Sequence, residues 1–477
     1  MENKAKILFI QKDPFVNMGV MSISAYLKKH GHTCDLLIDN IERKLLDEII
    51  KIKPDIIAFS CTTGIHTWVL STAKKIKKKY SIPIIMGGHH PTFYPEVIEN
   101  ESIDIICIGD GEKPMLELVN KLSTKKDITK IKNLYVKKNG KIYKNELDNL
   151  VQNLDELPFI DRFIYKRYPF IIKQKNLRII TGRGCPYNCT FCFNKSIKQL
   201  YDGKGRYLRR RSVENVIQEI IHAKKTLKIK RIDFQDDTFV YDFNNWLKPF
   251  LIEYKKRINL PFTCSLRANL ITQEMAYALK TAGCHSIKMG IESGNDFLNN
   301  KILGKNLSKK QIINAMMCFR NAKIKTETFN MIGLPGETLE NALETLRFNM
   351  KIKADFARCS LLQPYPKTEI ERYAKEKGYL DKNFDLDAFE SSYFIDTPIK
   401  MKNKNEMINL QRLFNICVNF PFLYPIIKKI IFLPKNFVFD TLFKIDYAIA
   451  ILFIDKVDIM DFFNFGIHSK GFFKKQK

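Results

Sequence analysis

The chain has 477 residues, 45% of them hydrophobic, and a formal net charge of +28. This length and apolar content allow two or three domains, each with its own core. Such a charge suits nucleic acid, a membrane surface or an acidic electron-transfer partner, but its lysines are scattered along the whole chain, so the charge alone identifies no partner. No nucleic-acid partner is expected. Eleven cysteines without a secretory segment indicate a reducing compartment. No apolar run approaches the ~18 residues of a membrane span, and the expected location is the cytoplasm.

Residues 1–125 alternate short apolar strand patterns with helical patterns. Such alternation predicts a parallel sheet covered on both faces, a doubly wound, Rossmann-like α/β domain. Ligands bind these sheets at the carboxyl ends of the strands, where small residues let a large, flat ligand approach the backbone. The strand ends of this segment carry Ser60, Thr62, Gly87, Gly88, Gly109, Gly111 and Glu112.

Residues 126–175 are predicted to connect this domain to a second one. The stretch from Leu134 to Tyr143 has the pattern of a β-hairpin around an Asn139-Gly140 turn. A polar linker follows it, and the next apolar strand begins at Leu177.

That strand leads into a loop with three closely spaced cysteines, Cys185, Cys189 and Cys192. The glycines and proline around them prevent a continuing helix and let the loop fold tightly. Close-set thiolates bind soft metals or iron–sulfur clusters, and no further ligand follows nearby to complete a zinc site. Three thiolates on a four-iron cluster leave one iron open. The spacing therefore suits a catalytic 4Fe–4S cluster, with three buried structural cysteines or a degenerate zinc loop as the alternatives.

The pattern Cys-x3-Cys-x2-Cys, with an aromatic residue before the last cysteine, resembles the signature of the radical S-adenosylmethionine (SAM) family. This resemblance implies a 4Fe–4S cluster whose open iron binds the amino and carboxylate groups of SAM. It also implies a partial (β/α)6 barrel, and residues 176–378 contain the strand patterns that such a barrel needs. The SAM-binding residues that the resemblance implies are Phe191, Asp236, Asp237, Arg267, Glu292, Gly333 and Gly336.

The resemblance also implies roles for most of these residues. The two aspartates accept hydrogen bonds from the SAM ammonium, and Arg267 pairs with the SAM carboxylate. Phe191 packs against the adenine, which the two glycines allow to approach the backbone. Glu337, after the second glycine, is either an acid at a helix N-terminus or a ligand. The run from Arg209 to Arg211 is expected to be a solvated helix entry, with a dock for an acidic reductant as the alternative.

The N-terminal segment resembles the cobalamin-binding domain that precedes the radical SAM domain in one branch of that family. The resemblance lies in Gly-Gly-x-His-Pro-Thr from Gly87 and Gly-x-Gly-Glu from Gly109. It implies that the strand-end residues named above bind cobalamin. The signature Asp-x-His-x-x-Gly is absent, so no histidine is placed to bind cobalt from below, and His89 and His90 are expected to be polar loop residues. A domain that has lost the cofactor is the alternative.

Residues 379–477 have a different character. Two strongly apolar stretches, Pro421 to Ile427 and Tyr447 to Ile454, are interrupted by lysines too often for a membrane span. We expect a mainly helical region that caps the barrel mouth and contributes to the substrate site. The alternative is an amphipathic surface that meets a membrane or an apolar substrate.

These resemblances predict a cobalamin-dependent radical SAM enzyme. In that family one SAM methylates reduced cobalamin, and a second yields a deoxyadenosyl radical that removes hydrogen from an unactivated carbon, which then takes the methyl group. The predicted reaction is methyl transfer to a small-molecule or lipid-like substrate, with a flavodoxin- or ferredoxin-type electron donor. Ring-forming or rearranging chemistry and a non-catalytic cobalamin-sensing module are the alternatives. No catalytic residue is assigned.

Overall fold

The computed structural model describes residues 4–390, 392–454 and 457–468. In this part of the chain two large sheets are present, one of seven and one of six strands. The first belongs to the N-terminal part and the second to the part that follows the linker. No helix within the described ranges is long and apolar enough to cross a bilayer.

The N-terminal sheet begins with parallel strands that alternate with helices. These elements are β1 (Lys6–Gln11), α1 (Met18–Lys29), β2 (Thr33–Ile38), α2 (Leu45–Ile52), β3 (Ile56–Ser60), α3 (His66–Lys77), β4 (Ile84–Gly87), α4 (His89–Phe93), β5 (Ile105–Cys107) and α5 (Glu112–Ser123). The strands run in the order β2-β1-β3-β4-β5. Apolar side chains pack on both faces of the sheet, which confirms the doubly wound arrangement.

The predicted hairpin is present, and it extends the N-terminal sheet. Its strands are β6 (Leu134–Lys138) and β7 (Lys141–Lys144), and β6 pairs antiparallel with β5. Asn139 and Gly140 form the turn with φ of 51° and 73°, as a two-residue hairpin turn requires. The short strand β5 is therefore an interior strand rather than an exposed edge.

The second sheet is the partial barrel that was predicted. The elements of this part are α6 (Pro169–Ile172), β8 (Asn176–Ile179), β9 (Gly182–Arg183), α7 (Phe193–Leu200), β10 (Arg209–Arg210), α8 (Val213–Thr226), β11 (Arg231–Phe234), α9 (Lys248–Arg257), β12 (Phe262–Leu266), α10 (Gln273–Ala282), β13 (Cys284–Glu292), α11 (Lys309–Asn321), β14 (Lys325–Ile332), α12 (Leu339–Ile352) and β15 (Phe356–Leu361). The order β15-β14-β13-β12-β11-β8 is parallel throughout. A separate antiparallel ribbon, β9 with β10, leads into the cysteine loop.

Side-chain caps set where the barrel helices begin. Ser212 starts α8 by accepting a hydrogen bond from the Asn215 N–H at 3.1 Å. Ser308 and Thr338 start α11 and α12 with reciprocal capping boxes. Because these helices follow the strands, each cap also fixes the length of the loop at the mouth of the barrel.

The C-terminal part is helical, as predicted, but its last helices do not lie over the barrel mouth. They are α13 (Glu369–Glu376), α14 (Lys404–Asn419), α15 (Tyr424–Ile430), α16 (Phe437–Phe453) and α17 (Ile459–His468). The Ser286 hydroxyl, near the start of β13, donates to the Ile454 carbonyl at 3.2 Å. The Lys175 N–H, just before β8, donates to Asp461 at 2.9 Å. The end of α16 and α17 therefore lie at the amino-terminal end of the barrel.

The physical reason for this placement is the apolar surface at the amino-terminal end of the barrel, against which α16 packs. Ala450 and Ile454 form a buried cluster with Phe356, the first residue of β15. At the carboxyl ends of the strands, the apolar cluster around Leu334 and Leu362 is already covered by α13 and the segment that follows it.

Ion pairs join the two sheets at the β9–β10 ribbon. Arg183 on β9 donates to Glu112 at 2.5 Å and to Asp110 at 3.1 Å. Arg209 on β10 donates to the same Asp110 carboxylate at 3.1 Å. Burial alone would raise the pKa of Glu112, but Arg183 outweighs it and holds that pKa at about 2. The pair is therefore charged at neutral pH.

The expectation that Arg209 to Arg211 form a solvated helix entry is wrong. Arg209 is 5% exposed because Asp110 binds it. The Arg210 guanidinium lies over the ring of Trp246 at 4.3 Å. Arg211 pairs with the buried Glu219 at 2.5 Å. All three guanidinium groups bind carboxylates or an aromatic ring within the protein. The segment from Arg209 to Arg211 is therefore unsuited to dock an electron donor.

We expect Glu112→Ala to lower the free energy of unfolding by about 2 kcal/mol or more, because it leaves the Arg183 guanidinium without its nearest partner. Replacing both residues by leucine should recover much of this loss, because both charges are then removed. Thermal unfolding of the full chain measures both variants. Glu274→Ala, which breaks the exposed pair with Lys248, is the control and should cost less than about 1 kcal/mol. If the Glu112→Ala variant and the double leucine variant lost equal free energy of unfolding, an unpaired Arg183 guanidinium would not be the cause of the loss.

Candidate functional site

The three cysteines lie on one ordered loop between β9 and α7. Cys189 is buried, Cys185 and Cys192 are half-buried, and Cys192 is the N-cap residue of α7. The Cys192 N–H donates to the Cys189 carbonyl at 3.2 Å, and the Thr190 N–H donates to the Leu303 carbonyl at 3.0 Å. Burial raises the pKa of the Cys185 thiol to about 11 and also raises that of Cys192. Binding of iron must therefore displace thiol protons.

The surroundings of these thiols fit an iron–sulfur cluster. Asn194 Nδ2 lies 3.5 Å from Cys192 Sγ, and Arg267 Nη1 lies 3.7 Å from Cys189 Sγ. Such donors stabilise the negative charge on cluster sulfurs. Over the described part of the chain, no three His, Cys, Asp or Glu side chains are grouped as ligands of a single metal ion. A 4Fe–4S cluster instead takes each thiolate on a different iron.

Arg267 follows β12 and is directed at the cysteine loop. It is 8% exposed, its guanidinium lies over the Tyr187 ring at 3.8 Å, and its Nε donates to Asn269 Oδ1 at 3.0 Å. No carboxylate among the described residues lies within ion-pairing distance of it. A buried guanidinium stays charged and binds carboxylates in bidentate fashion. Arg267 is therefore available for the carboxylate of SAM.

The two predicted aspartates have different surroundings. Asp236 is buried and accepts hydrogen bonds from the N–H and the hydroxyl of Thr181, at 3.0 and 2.8 Å. Burial raises the pKa of Asp236 to about 6. This carboxylate holds the ends of β8 and β11 together. Asp237 is exposed and lies near His89 and Asn194, so its carboxylate is the more open of the two to the SAM ammonium.

A cavity of about 340 Å³ opens at the mouth of the barrel, and both Phe191 and Glu292 line it. Glu292 has φ of 67° and pairs with Lys305 at 2.6 Å. A Cβ on Gly290 would lie 2.6 Å from the lysine nitrogen, so a side chain there would displace this ion pair. Glu292 thus reaches the predicted SAM site as half of an ion pair rather than as a free carboxylate.

The two predicted glycines lie in a loop that Glu337 organises. Gly333 and Gly336 have φ of 77° and 79°, which residues with side chains rarely adopt. The N–H groups of Gly333 and Leu334 donate to the Glu337 carboxylate at 2.6 and 3.0 Å. Burial raises the pKa of Glu337 to about 8, although these hydrogen bonds oppose it. Tyr379 packs over Gly336, so the segment after α13 covers this side of the mouth.

A second cavity, of about 520 Å³, lies where the two sheets meet. Its floor has no room for side chains: Gly88 has φ of 97°, and a Cβ there would lie 2.7 Å from the Cys61 carbonyl oxygen. Gly182 and Arg183 of β9, which directly precede the cysteine loop, form part of its wall. The cavity is also lined by every residue predicted to bind cobalamin, namely Ser60, Thr62, Gly87, Gly88, Gly109, Gly111 and Glu112. A bare backbone floor in a cavity of this size fits a large, flat cofactor.

Tyr201, which the sequence analysis did not identify, completes this cavity. It follows α7, is 2% exposed, and its hydroxyl accepts a hydrogen bond from the Asp110 N–H at 2.9 Å. A Cβ on Gly109 would overlap that hydroxyl, so glycine is needed here to admit the ring. No local signal marks Tyr201, because its partner lies in the other sheet.

The two adjacent histidines point in different directions, and both lie on α4 rather than in the predicted loop. His89 lines the 520 Å³ cavity and stacks on Phe193, with ring centroids 5.2 Å apart. Phe193 directly follows Cys192, so His89 lies between the cavity and the cysteine loop. His90 instead is 1% exposed and stacks on His66 at 4.3 Å. Burial lowers the pKa of both, that of His90 to about 3.

Comparison with known proteins identifies both domains. The model of the radical SAM superfamily matches residues 179–348, and that of the B12 binding domain matches residues 12–119. An uncharacterized methyltransferase of Pyrococcus horikoshii, PH0819, is 32% identical over 68% of this chain and 70% of its own. The anaerobic magnesium-protoporphyrin IX monomethyl ester cyclase of Rubrivivax gelatinosus is 26% identical over 80% of this chain and 69% of its own.

Two solved structures share the fold. The radical SAM methyltransferase TsrM from Kitasatospora setae, with cobalamin and a 4Fe–4S cluster bound, has a TM-score of 0.64 at 18% identity, over 78% of this chain and 75% of its own. The cobalamin-dependent radical SAM enzyme OxsB, with aqua-cobalamin and SAM bound, has a TM-score of 0.69 at 18% identity, over 97% and 75%.

A barrel with a three-cysteine loop, behind a B12 binding domain, defines a class of enzyme that uses radical SAM chemistry. This chain belongs to the cobalamin-dependent radical SAM family. Its cofactors are therefore a 4Fe–4S cluster, SAM and cobalamin.

We expect Arg267→Ala to weaken SAM binding roughly ten- to a hundredfold, because a charge-assisted hydrogen bond contributes about 1.5–3 kcal/mol. Arg267→Lys should recover only part of the affinity, since a point charge does not reproduce the planar guanidinium. Calorimetric titration of SAM into the reconstituted variants gives the dissociation constants, and iron analysis checks that the cluster is retained. An unchanged dissociation constant in the alanine variant would remove Arg267 from the SAM site.

We expect Gly87→Val to weaken cobalamin binding roughly ten- to a hundredfold, because overfilling a packed site costs about 1–3 kcal/mol. The fold should persist, since a Cβ there meets only Cys107 Cβ, at 3.7 Å. Cobalamin absorbance of the reconstituted chain measures the effect. Gly466→Val in α17, where a Cβ meets open space, is the control and should retain cobalamin. Full retention in Gly87→Val would show that cobalamin binds elsewhere.

Proposed function

We propose that the enzyme transfers a methyl group to an unactivated carbon of a small-molecule or lipid-like substrate. The observation that carries this proposal is that the cavity of the predicted cobalamin residues adjoins both ends of the cysteine loop. Gly182 and Arg183, which precede the loop with Gly184 between them and Cys185, line that cavity. His89 of the same cavity stacks on Phe193, directly after Cys192. The two candidate sites are therefore neighbours, and we infer that one substrate carbon is reached from both.

When bound, the cluster and SAM supply a 5′-deoxyadenosyl radical, and cobalamin supplies the methyl group. The chain's own residues hold and orient these groups. Arg267 binds the SAM carboxylate, Asp237 accepts from its ammonium, and Phe191 packs against the adenine. Cys185, Cys189 and Cys192 hold the cluster, and the bare strand ends let cobalamin lie against the backbone. Arg267 would serve no purpose in a module that merely senses cobalamin, which favours an enzyme.

We assign these roles to the predicted segments. Residues 1–125 hold cobalamin, residues 126–175 connect, residues 176–378 hold the cluster and SAM, and residues 379–477 contribute to the substrate site. Tyr393 supports the last role, because it lines the 340 Å³ cavity together with Phe191. A flavodoxin- or ferredoxin-type protein is the electron donor we propose, and the net charge of +28 favours an acidic partner. The cytoplasmic location stays a prediction.

Ring closure is the second candidate reaction. Its support is the ester cyclase of Rubrivivax gelatinosus, which is similar over 80% of this chain. The methyltransferase PH0819 has the higher identity, 32% against 26%, and favours methyl transfer. Both reactions start from the same radical and differ in whether a methyl group reaches the product.

The test uses the chain reconstituted anaerobically with iron, sulfide and cobalamin, together with reductant, deuteromethyl-labelled SAM and a small-molecule cell extract. We expect deoxyadenosine, S-adenosylhomocysteine and a product that carries the labelled methyl group. The Cys185→Ala, Cys189→Ala, Cys192→Ala variant is the control and should lose its iron and form no deoxyadenosine. Deoxyadenosine together with an unlabelled cyclised product would replace methyl transfer by ring closure.

A further inference from the structure

The helix α16 is apolar on two opposite faces. Its inner face, with Phe439 and Phe443, is buried against the rest of the protein. Its outer face carries Leu442, Ile445 and Ile449, which are 39%, 52% and 49% exposed. A helix that is apolar all round is normally buried all round. The outer face of α16 therefore has no partner among the described residues.

The exposed apolar area extends beyond the outer face in both directions. Phe437, the first residue of α16, is 80% exposed, and Phe453, the last, is 63% exposed. Phe432 and Leu433 precede the helix and are 59% and 49% exposed. An apolar area of this extent marks an interaction site on a protein surface. We name as the α16 surface the residues Phe432, Leu433, Phe437, Leu442, Ile445, Ile449 and Phe453.

The charges around the α16 surface are positive. Lys435 and Lys444 are exposed between its apolar residues, and Lys428 and Lys429 are exposed at the end of α15. Lysine side chains among exposed aromatic and aliphatic ones are typical of helices that lie in the interface of a bilayer. There the apolar side chains enter the headgroup boundary, and each lysine attracts anionic headgroups.

The acidic residues of α16 are turned away from this surface. Arg412 of α14 donates to Asp440 at 2.6 Å, and Asn415 of α14 donates to Asp446 at 2.8 Å. Both carboxylates are therefore used on the inner face, where they fix the rotation of α16 about its axis. The outer face carries apolar and basic side chains and the uncharged Thr441, so its charge is complementary to an anionic surface.

We propose that the α16 surface docks the enzyme on an anionic lipid bilayer. A second copy of the chain is a poorer partner for this surface. Dimerisation would bring the lysines of the two copies together, and two chains of net charge +28 repel each other. The contact is peripheral. It lies on the outer face of α16, whose residues are not among those that line either candidate cofactor cavity, so docking leaves both cavities accessible and is independent of the reaction that the enzyme performs.

The test is flotation of the reconstituted full-length enzyme with vesicles of phosphatidylcholine, alone or mixed with phosphatidylglycerol. We expect binding to the mixed vesicles that weakens as salt is added. The double variant Ile445→Asn, Ile449→Asn should bind roughly ten- to a hundredfold more weakly, because two apolar side chains no longer leave water. Ile252→Asn is the matched control, since Ile252 in α9 is 61% exposed, and it should bind as the unchanged chain does.

A charge variant tests whether the lysines attract anionic lipid. Lys435→Glu with Lys444→Glu should weaken binding to the mixed vesicles at low salt. Deoxyadenosine formation from SAM should be unchanged in every variant, so the test is separate from that of the proposed function. The proposal is overturned if the isoleucine variant floats as well as the Ile252 control. It is also overturned if light scattering shows a dimer that this variant dissociates, because a second copy then covers the surface.

Discussion

The ion pair between Arg183 and Glu112 decides how the two halves of this enzyme face each other. Glu112 is the first residue of α5, where a carboxylate also interacts favourably with the helix dipole. Arg183 lies on the short strand that runs into the cysteine loop. Together with the bonds that Arg209 and Tyr201 make to Asp110, this salt bridge fixes the cysteine loop beside the proposed cobalamin cavity. Its net contribution to stability is modest, because both charges lose water when they pair. Its main effect is geometric, since the position of the loop beside the cavity depends on it.

Much of the fold follows from sequence patterns that act over short distances. Apolar runs of strand length that alternate with helical patterns define both sheets, because each strand must be covered on two faces. The meeting of the proposed cobalamin residues at one place was predictable for a related reason. Parallel strands bring their carboxyl ends to one edge, so residues as far apart as Ser60 and Gly111 had to meet there. They do line one cavity. The cysteine loop was predictable because its ligands are neighbours in the chain.

The features that the sequence did not reveal depend on partners from distant elements. The arginines from Arg209 to Arg211 look like a solvated run, yet carboxylates and an aromatic ring from other elements bury them. Asp236 and Asp237 are adjacent and chemically identical, and only the Thr181 hydrogen bonds make one structural. The position of α16 was predicted wrongly. Its apolar pattern indicates that the helix is covered, but it does not indicate which end of the barrel covers it.

The insertion of Tyr201 against Gly109 has a consequence for how the holoenzyme is assembled. An N-terminal domain usually folds while the rest of its chain is still being made. At that stage Tyr201 is absent, the Asp110 N–H has no hydroxyl to bind, and one wall of the cavity is missing. If cobalamin occupies this cavity as proposed, it is enclosed only after the barrel has begun to pack. Cofactor loading is therefore a late event in the maturation of this enzyme, and a separately expressed N-terminal fragment is an incomplete receptor.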